Sequence, residues 1–255
     1  MVGMTKPKRY ERIVIKPDTH VPHHDPRAFS LFLKIISDLK PTRLIDLGDA
    51  VSFDSISHWP KAQAEPDILA EKLGFVQCYK DIRSAVGKAC KFQFIEGNHE
   101  YRLRNYMYGS ARELSSLECL RLQNLLEFKE LGIDGPHDRI ELCGSRLVAV
   151  HGWPIIRRWP GMAANEWMTR EGRSGVSGHT HTLAIVGRRR YDGAIVWAES
   201  GFLGRMDQPY LRGQHANWSH GFVWLDVTDN DFQIHEVRFH TNFSWRSPGG
   251  KEYRA

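Results

Sequence analysis

The chain has 255 residues, of which 41% are hydrophobic and 25% are charged. This ordinary globular composition excludes a disordered, fibrous or collagen-like protein. Lysine and arginine outnumber aspartate and glutamate by 35 to 30, and the net charge of +5 permits an acidic partner such as a phosphate ester or a nucleic acid without requiring one. The 13 histidines are the unusual feature, because many of them stand beside glycine, aspartate, asparagine or another histidine.

No stretch of the sequence approaches the roughly 18 to 20 apolar residues that a membrane span needs. The polar start at residues 1–12 is not followed by an apolar core, so it lacks the pattern of a secretory signal. The four cysteines are widely spaced and form no Cys-x-x-Cys pair, which argues against a cysteine zinc site and favours reduced thiols. We therefore expect a cytoplasmic protein that does not enter a membrane.

Short runs rich in valine and isoleucine recur through the first two thirds of the chain, and polar turns follow them directly. These predicted strands are residues 12–15, 43–47, 92–95, 147–150 and 175–177. Between them, apolar residues at helical spacing predict helices over 29–39, 68–86 and 114–126. Strands that alternate with helices indicate an α/β fold in which helices cover a sheet.

The last third has a different pattern. Residues 184–186, 194–199, 221–226 and 232–239 are predicted strands without long helices between them, and Asp192-Gly193 is a hairpin signal. We expect one domain over residues 1–243 and a flexible tail over 244–255. Residues 52–66, 100–112 and 153–174 are predicted to be irregular connections that shape access to a site.

Residues of the kinds that bind metals follow five of the predicted strands. They are Asp18, His20, Asp49, Asn98, His99, His151, His179 and His181. Loops beyond the carboxyl ends of strands converge in open α/β sheets, so we expect these side chains to meet. Mixed Asp, His and Asn ligands suit manganese, iron, zinc or cobalt better than calcium. The set exceeds the needs of one ion, which predicts two ions about 3.5–4 Å apart, bridged by a carboxylate.

The spacing within the motifs has a geometric interpretation. In Asp18-x-His20 and His179-x-His181, residues two apart on an extended segment point to the same side and would present both side chains to one cluster. Asn98 and His99 are neighbours in a turn, where side chains diverge. One of them would bind metal while the other faces the substrate.

The ordered motifs resemble those of the calcineurin-like metallophosphoesterases. They are Asp18-x-His20, Gly48-Asp49, Gly97-Asn98-His99-Glu100, His151-Gly152 and Gly178-His179-x-His181. The resemblance covers residues 18–181 and implies a four-layer α/β/β/α sandwich. It also implies hydrolysis of phosphate esters by in-line attack of a metal-bridging hydroxide. The implied cofactors are two divalent metal ions, with manganese preferred and iron, zinc, cobalt or nickel as alternatives.

The resemblance implies a role for each motif residue. Asp49 would bridge the two ions, and His99 would face the scissile phosphate, where it protonates the leaving oxygen or stabilises the transition state. The first ion would be held by Asp18, His20 and His181, and the second by Asn98, His151 and His179.

The sequence departs from the family at one position. Relatives often have Asp or His three residues after the bridging aspartate, to orient the catalytic histidine, whereas this chain has Ser52. We expect either that Asp54 or Glu100 takes over that role or that His99 is less firmly held. The Gly-Asp-x-x-Asp-Arg-Gly run of the phosphoprotein phosphatase branch is absent from the sequence, which weighs against that branch.

Four further residues are candidates for binding the substrate. Arg102 and Arg104 follow the catalytic loop and could clamp a phosphate, or could be solvated helix residues. Trp153 follows the His151-Gly152 motif and could line the site or stack on a base, or could be a core tryptophan. His23 lies just beyond the first motif and could reach the mouth of the site.

The function predicted from these residues is a phosphodiesterase that acts on nucleotides or nucleic acid, as a nuclease does. One alternative is a phosphomonoesterase acting on nucleotides or phosphoproteins. Another, from a different class, is a nucleic-acid-binding module with a vestigial metal site. The expected partner is a phosphate-ester substrate, and the oligomeric state is not readable from the sequence.

Overall fold

The computed structural model describes residues 10–58, 67–191, 193–208, 211 and 214–255 of the chain. The strands in these ranges are β1 (Glu11–Lys16), β2 (Arg43–Asp46), β3 (Lys91–Ile95), β4 (Ile133–His137), β5 (Arg139–Leu142), β6 (Leu147–Val150), β7 (Ser174–Ser177), β8 (Leu183–Arg190), β9 (Gly193–Ser200), β10 (Gly221–Val227), β11 (Phe232–Arg238), β12 (Ser244–Arg246) and β13 (Glu252–Arg254). The α-helices are α1 (Pro26–Leu39), α2 (Ile68–Val86), α3 (Glu100–Ser110), α4 (Leu122–Leu125), α5 (Phe128–Leu131) and α6 (Met162–Glu171).

The first sheet has six strands in the order β11-β10-β1-β2-β3-β4. Strands β1 to β4 run parallel to one another, whereas β10 and β11 add antiparallel strands beyond β1. Strands β1 and β2 are buried on both faces over most of their length, which explains their nearly continuous apolar runs, whereas β4 at the sheet edge is mostly half-buried. Their carboxyl ends lie at one edge of the sheet, and the first three motifs leave from that edge.

The second sheet has five strands in the order β5-β6-β7-β9-β8. Strands β6, β7 and β9 are parallel, and the outer strands β5 and β8 are antiparallel to their neighbours. The last two motifs follow β6 and β7, so they also leave from the carboxyl ends of parallel strands.

Helices cover the outer faces of both sheets. Val14 of β1 packs into the apolar layer beneath α1 and α2, whereas its neighbours Ile13 and Ile15 face the second sheet. On the far side, Met168 of α6 packs against Trp197 of β9. Burying a large aliphatic or aromatic side chain completely contributes about 1.5–3 kcal/mol. The predicted four-layer α/β/β/α sandwich is therefore confirmed.

The helix predictions were right for α1 and α2 and wrong for residues 114–126. Helix α1 begins at Pro26, ahead of the predicted residue 29, because the side chain of Asp25 accepts hydrogen bonds from the first turn. Residues 112–126 instead contain two 3₁₀ turns and the single turn α4. Leu114 and Leu117 are each 46% exposed, so the periodic leucines do not form a buried face.

Two of the predicted irregular connections contain helices. Helix α3 occupies most of residues 100–112, and α6 occupies the second half of 153–174. Helix α3 buries only Leu103 and Met107 among its apolar residues, a stripe too thin to be recognised from periodicity. In the third connection, residues 54–56 form a 3₁₀ turn and residues 59–66 lie outside the described ranges.

The C-terminal strands are present as predicted, in β8, β9, β10 and β11. Strands β8 and β9 form a hairpin that pairs Arg190 with Gly193, and Asp192 of the predicted turn lies outside the described residues. Residues 244–255 contain the hairpin β12–β13, whose Trp245 and Tyr253 pack against the helical side of the core. The segment thus has more structure than the sequence suggests, while its flexibility and the domain boundary stay predictions. No helix in the described ranges is long and apolar enough to cross a membrane.

Candidate metal centre

The loops that follow five strands bring the eight motif residues to one edge of the sandwich. Backbone hydrogen bonds connect these loops, from the N–H of His20 to the carbonyl of Asp49 at 2.9 Å and from the N–H of Gly178 to the carbonyl of His151 at 2.8 Å. Both sheets contribute, because β1, β2 and β3 carry the first three motifs and β6 and β7 carry the last two.

Asp18, His20 and His181 form one buried group, in which the ligand atoms lie within 4.8 Å of one another. The Nε2 atom of His181 lies 3.1 Å from Oδ2 of Asp18 and 3.1 Å from Nε2 of His20. The imidazole of His181 also stacks on Phe202, with 4.0 Å between the ring centroids, which fixes its orientation. Three ligand atoms thus converge on one small volume, as the ligands of a cation do.

Asp49, His151 and His179 form a second group within the same distance limit. The Nε2 atom of His151 lies 3.4 Å from Oδ2 of Asp49 and 2.9 Å from Oδ1 of Asn98, so the asparagine belongs to this group as well. The same Oδ2 atom of Asp49 is 3.9 Å from Nε2 of His20 in the first group. One carboxylate therefore faces both groups, as a bridging ligand would.

Left-handed backbone conformations shape these loops. The φ angles are 53° at His20, 49° at Asp49, 67° at His179 and 56° at His181. Non-glycine residues seldom adopt such angles, because each costs about 1–3 kcal/mol and persists only where the surrounding structure enforces it. The expectation of an extended His179-x-His181 segment that serves one cluster is therefore wrong, because the two rings lie in different groups.

The hydrogen bonds of His151 show that a cation fits between these side chains. Its Nδ1 atom lies 2.8 Å from the carbonyl oxygen of Leu47, which can only accept, so Nδ1 carries the hydrogen. The neutral ring then turns the lone pair of Nε2 toward the oxygen atoms of Asp49 and Asn98, and only a proton or a metal ion relieves that repulsion. In addition, Nε2 of His179 is buried without a hydrogen-bond partner among the described residues. The donor set therefore fits a borderline-soft divalent metal.

Burial and neighbouring charges set the pKa values of the histidines. Burial lowers the pKa of His20 well below its ordinary value, and the neighbouring His99 adds to this effect. Burial likewise lowers the pKa of His179 to about 4. Burial also acts to lower the pKa of His151, but the carboxylate of Asp49 outweighs it and raises that pKa to about 10. Hence two rings offer neutral lone pairs near pH 7, and the third holds a proton that a cation would displace.

The topology of the two sheets and the convergence of the motif residues at one edge match the four-layer fold that the sequence resemblance implies. The resemblance is thus confirmed at the level of the fold.

The chain has distant similarity to several known proteins. No family model matches the chain. The gene 54 proteins of Mycobacterium phages L5 and D29 are each 28% identical to it, over 85% and 86% of this chain and 89% and 90% of their own. Among solved structures, a single mutant of Vps29 from Entamoeba histolytica is 14% identical and covers 90% of this chain and 93% of its own, with a TM-score of 0.47. YfcE, a phosphoesterase from E. coli, is 16% identical and covers 89% of this chain and 98% of its own, with a TM-score of 0.40.

Glu100 holds two loops of this metallophosphoesterase fold together. Its buried carboxylate accepts hydrogen bonds from the backbone N–H groups of Asp49, Ala50, Val51 and Gly97, at 2.8–3.2 Å. Burial raises the pKa of Glu100 to about 8. The carboxylate points into the backbone and not toward His99, so the expectation that Glu100 orients the catalytic histidine is wrong.

Ser52 itself orients His99, but through its main chain. The backbone carbonyl of Ser52 lies 2.9 Å from Nδ1 of His99 and also accepts a hydrogen bond from Nη1 of Arg102 at 2.7 Å. Nη2 of Arg102 lies 3.1 Å from Nε2 of His99. Because a carbonyl only accepts and a guanidinium only donates, His99 is neutral here, with its hydrogen on Nδ1. Asp54 contributes indirectly, since it binds Nη1 of Arg102 at 2.8 Å.

Of the other predicted substrate residues, His23 lies in the network of Arg102, whereas Arg104 and Trp153 lie outside it. His23 joins the same network, with its Nε2 atom 3.0 Å from Oδ2 of Asp54. Arg104 instead pairs with Glu96 at 2.8 Å on the exposed side of α3. Trp153 is 59% exposed, so the alternative of a core tryptophan is wrong.

Glu199, a buried residue near the end of β9, supports the site although no sequence motif marks it. Its Oε1 atom accepts hydrogen bonds from the N–H groups of Gly161 and Ala164 at the start of α6. Its Oε2 atom accepts from the hydroxyl groups of Thr180 and Thr182, which flank His181. A lone glutamate in a strand carries no sequence signal for this role, because its partners lie 17 to 38 residues away in the chain.

Proposed function

We propose that the protein is a two-metal phosphoesterase. The observation that supports this function best is the pair of ligand groups that share the carboxylate of Asp49, with distances of 3.4 Å to His151 and 3.9 Å to His20. When bound, two divalent ions lower the pKa of a water molecule and neutralise the charge on phosphate oxygens. We propose manganese as the preferred ion, with iron, zinc, cobalt or nickel as alternatives.

The residues of the two groups would hold the ions as the family resemblance implies. In this proposal Asp49 would contact both ions, and the hydrogen bond that its backbone N–H donates to Glu100 keeps its loop in place. The first ion would be held by Asp18, His20 and His181, and the second by Asn98, His151 and His179. Most of these side chains are buried, which excludes water from the sides of the site and strengthens electrostatic interactions inside it.

His99 and Arg102 would contact the phosphate group of the substrate. The side chains of both are partly exposed, at 13% and 18%, and their Nε2 and Nη2 atoms lie together at the mouth of the site. In the hydrogen-bonding state seen here, Nε2 of His99 is an acceptor and has no proton to give to a leaving oxygen. This supports a role for the pair in stabilising charge on the phosphoryl oxygens, with the positive charge supplied by Arg102.

We propose a phosphodiester substrate from the nucleotide or nucleic-acid class. The mild positive charge of the chain and the absence of the Gly-Asp-x-x-Asp-Arg-Gly run from its sequence support this choice over a phosphoprotein. A phosphomonoesterase is the second candidate, and comparing hydrolysis of bis(4-nitrophenyl) phosphate with that of 4-nitrophenyl phosphate separates the two. Faster turnover of the diester supports the first choice.

The decisive experiment measures hydrolysis of the chromogenic diester with added manganese. Asp49→Ala and His151→Ala should each lower the rate by at least about 100-fold, because each removes a contact to the metal centre. Arg246→Ala is the matched control, since that exposed side chain lies in the hairpin β12–β13, and it should keep full activity. Full activity in the Asp49 and His151 variants would contradict the mechanism. A folded wild-type chain that binds DNA but no manganese would favour the binding-module alternative.

A further inference from the structure

Residues 153–162, here called the aromatic segment, expose large apolar side chains between the ligand His151 and helix α6. Trp153 is 59% exposed, Ile156 is 67% exposed and Trp159 is 57% exposed. Single exposed apolar residues are ordinary, but several of them in ten residues mark an interaction surface. The proposed metal chemistry does not use these side chains, so their exposure needs a different explanation.

Contacts at the middle of the aromatic segment hold it beside the metal centre. The side-chain amide of Asn217 donates to the carbonyl of Arg158 at 3.4 Å. The next residue, Trp218, packs edge-on against the imidazole of His181, with 4.6 Å between the ring centroids. The first contact thus links the segment to the loop that precedes β10, and Trp218 of that loop touches the first ligand group.

Contacts at both ends also connect the aromatic segment to ligand loops. At its start, Gly152 directly follows His151, and its carbonyl accepts a hydrogen bond from the N–H of Ile155 at 3.1 Å. At its end, the N–H of Gly161 donates to Glu199, the carboxylate that also binds Thr180 between two ligand histidines. The segment therefore runs along the rim of the metal centre.

The charges of the aromatic segment favour an anionic partner. The guanidinium of Arg158 lies over the ring of Trp159, 5.4 Å from its centroid. Arg157 is paired with Glu166, whereas Arg158 has no carboxylate partner among the residues that the structure describes. Flat aromatic faces beside an unpaired guanidinium match a ligand with flat bases joined by phosphates.

We propose that the aromatic segment binds single-stranded nucleic acid, with bases stacked on Trp153 and Trp159 and a backbone phosphate on Arg158. The two tryptophans are six residues apart, so they lie at most about 20 Å from one another, within reach of one short stretch of strand. Such binding would hold a neighbouring phosphodiester at the metal centre. The inference rests on the proposed function for its account of why the strand is held there, but the binding itself requires no catalysis.

The test measures binding of a fluorescein-labelled, hydrolysis-resistant phosphorothioate oligothymidylate of twelve nucleotides, by fluorescence anisotropy, to the full chain loaded with manganese. Trp159→Ala and Trp153→Ala should each weaken binding roughly 5- to 100-fold, as expected for the loss of one stacked base. Trp159→Phe should restore most of the affinity, because it keeps an aromatic face. The same sequence in a duplex should bind more weakly, since its bases are already stacked.

Salt dependence tests the phosphate contact separately. Arg158→Ala should reduce the slope of log Kd against log salt by about 0.7, the change expected for one lost contact to single strands, and Arg158→Lys should keep the slope. Tyr191→Ala is the matched control, because this fully exposed tyrosine lies at the turn after β8, and it should bind like the wild type.

Three outcomes would overturn the inference. The first is that the wild type does not bind the oligonucleotide. The second is that both tryptophan variants bind it with wild-type affinity. The third is that Trp159→Ala changes the sedimenting mass but not the affinity, which would indicate a protein interface. Hydrolysis of bis(4-nitrophenyl) phosphate by the wild type is measured in parallel. If the small diester is hydrolysed but the oligonucleotide is not bound, the inference fails while the proposed function stands. If the oligonucleotide is bound but no diester is hydrolysed, the proposed function fails while the inference stands.

Discussion

Gly97 allows the closest approach of two chain segments at the metal centre, so Gly97→Ala is the sharpest test of the site. A Cβ atom at this position would lie 2.2 Å from Oδ1 of Asp49 and 2.3 Å from its backbone nitrogen. Gly97 does not require a left-handed backbone, so the substitution acts through this clash alone. One clashing atom is an oxygen of the proposed bridging carboxylate itself, and the other is the backbone nitrogen of Asp49, which donates a hydrogen bond to Glu100 at 2.8 Å. Neither atom can move aside without moving that carboxylate.

The expected cost has two parts. Overpacking of a well-packed interior costs about 1–3 kcal/mol. For a chain of this size, that corresponds to a fall in melting temperature of roughly 2–12 °C. The displacement of Asp49 should also weaken metal binding about 10- to 100-fold, as the loss of groups that position metal ligands does.

Gly109→Ala is the matched control, because nothing lies within 4 Å of a Cβ atom at that position in helix α3. Alanine there should leave the stability unchanged or raise it by up to about 1 kcal/mol. Thermal unfolding measures the first part of the cost, and calorimetric titration with manganese measures the second. If Gly97→Ala bound manganese as tightly as Gly109→Ala, the close approach to Asp49 would have no part in forming the centre.

Three other substitutions test separate parts of the structure. Burial raises the pKa of Glu71 to about 8 in the folded chain from about 4.5, so the stability it contributes is complete below about pH 4.5 and is lost as the pH rises toward 8. Glu71→Gln should therefore lose less stability than the wild type as the pH rises, in thermal unfolding measured with chelator. If the stability of the wild type and of the variant fell equally with pH, this reasoning would be contradicted. Glu199→Gln should weaken manganese binding about 10-fold or more in calorimetry, because it removes an acceptor of the threonine hydroxyls, and unchanged affinity would remove its positioning role. Arg102→Lys should lower kcat/KM for the diester by about 100-fold while manganese affinity stays constant, and a loss of manganese affinity instead would show that Arg102 supports the metal centre.

The site could be predicted from the sequence where residues of metal-binding types directly follow a buried strand. The runs before Asp18, Asp49 and His151 are buried on both faces, so they are recognisable as parallel strands, and polar residues directly after such strands point to one edge. Periodicity failed where helices bury little. Helix α3 has a polar sequence with only Leu103 and Met107 as buried apolar residues, and its position is fixed by tertiary contacts that no local pattern reports.

Loop geometry limited what could be predicted about the ligand groups. The separation of His179 from His181 depends on left-handed backbone angles, which non-glycine residues adopt only where the surrounding structure enforces them. Part of that enforcement comes from Asp18, whose carboxylate accepts a hydrogen bond from the N–H of His179 at 3.0 Å. A contact between residues 161 positions apart is invisible to local pattern, although the resemblance to a family placed the two histidines in the correct groups.

Helix α3, which was not predicted from the sequence, explains how His99 is oriented in a chain that has Ser52 after the proposed bridging aspartate. Once residues 100–110 form a helix that begins beside His99, Arg102 lies three residues further on, close to the same face, and can reach the imidazole. A backbone carbonyl and a guanidinium then hold the ring where relatives often use a carboxylate or a second histidine. A carboxylate would favour the imidazolium form of His99, whereas the guanidinium disfavours it. A substrate oxygen that enters this end of the site therefore meets the guanidinium of Arg102 beside the neutral ring of His99.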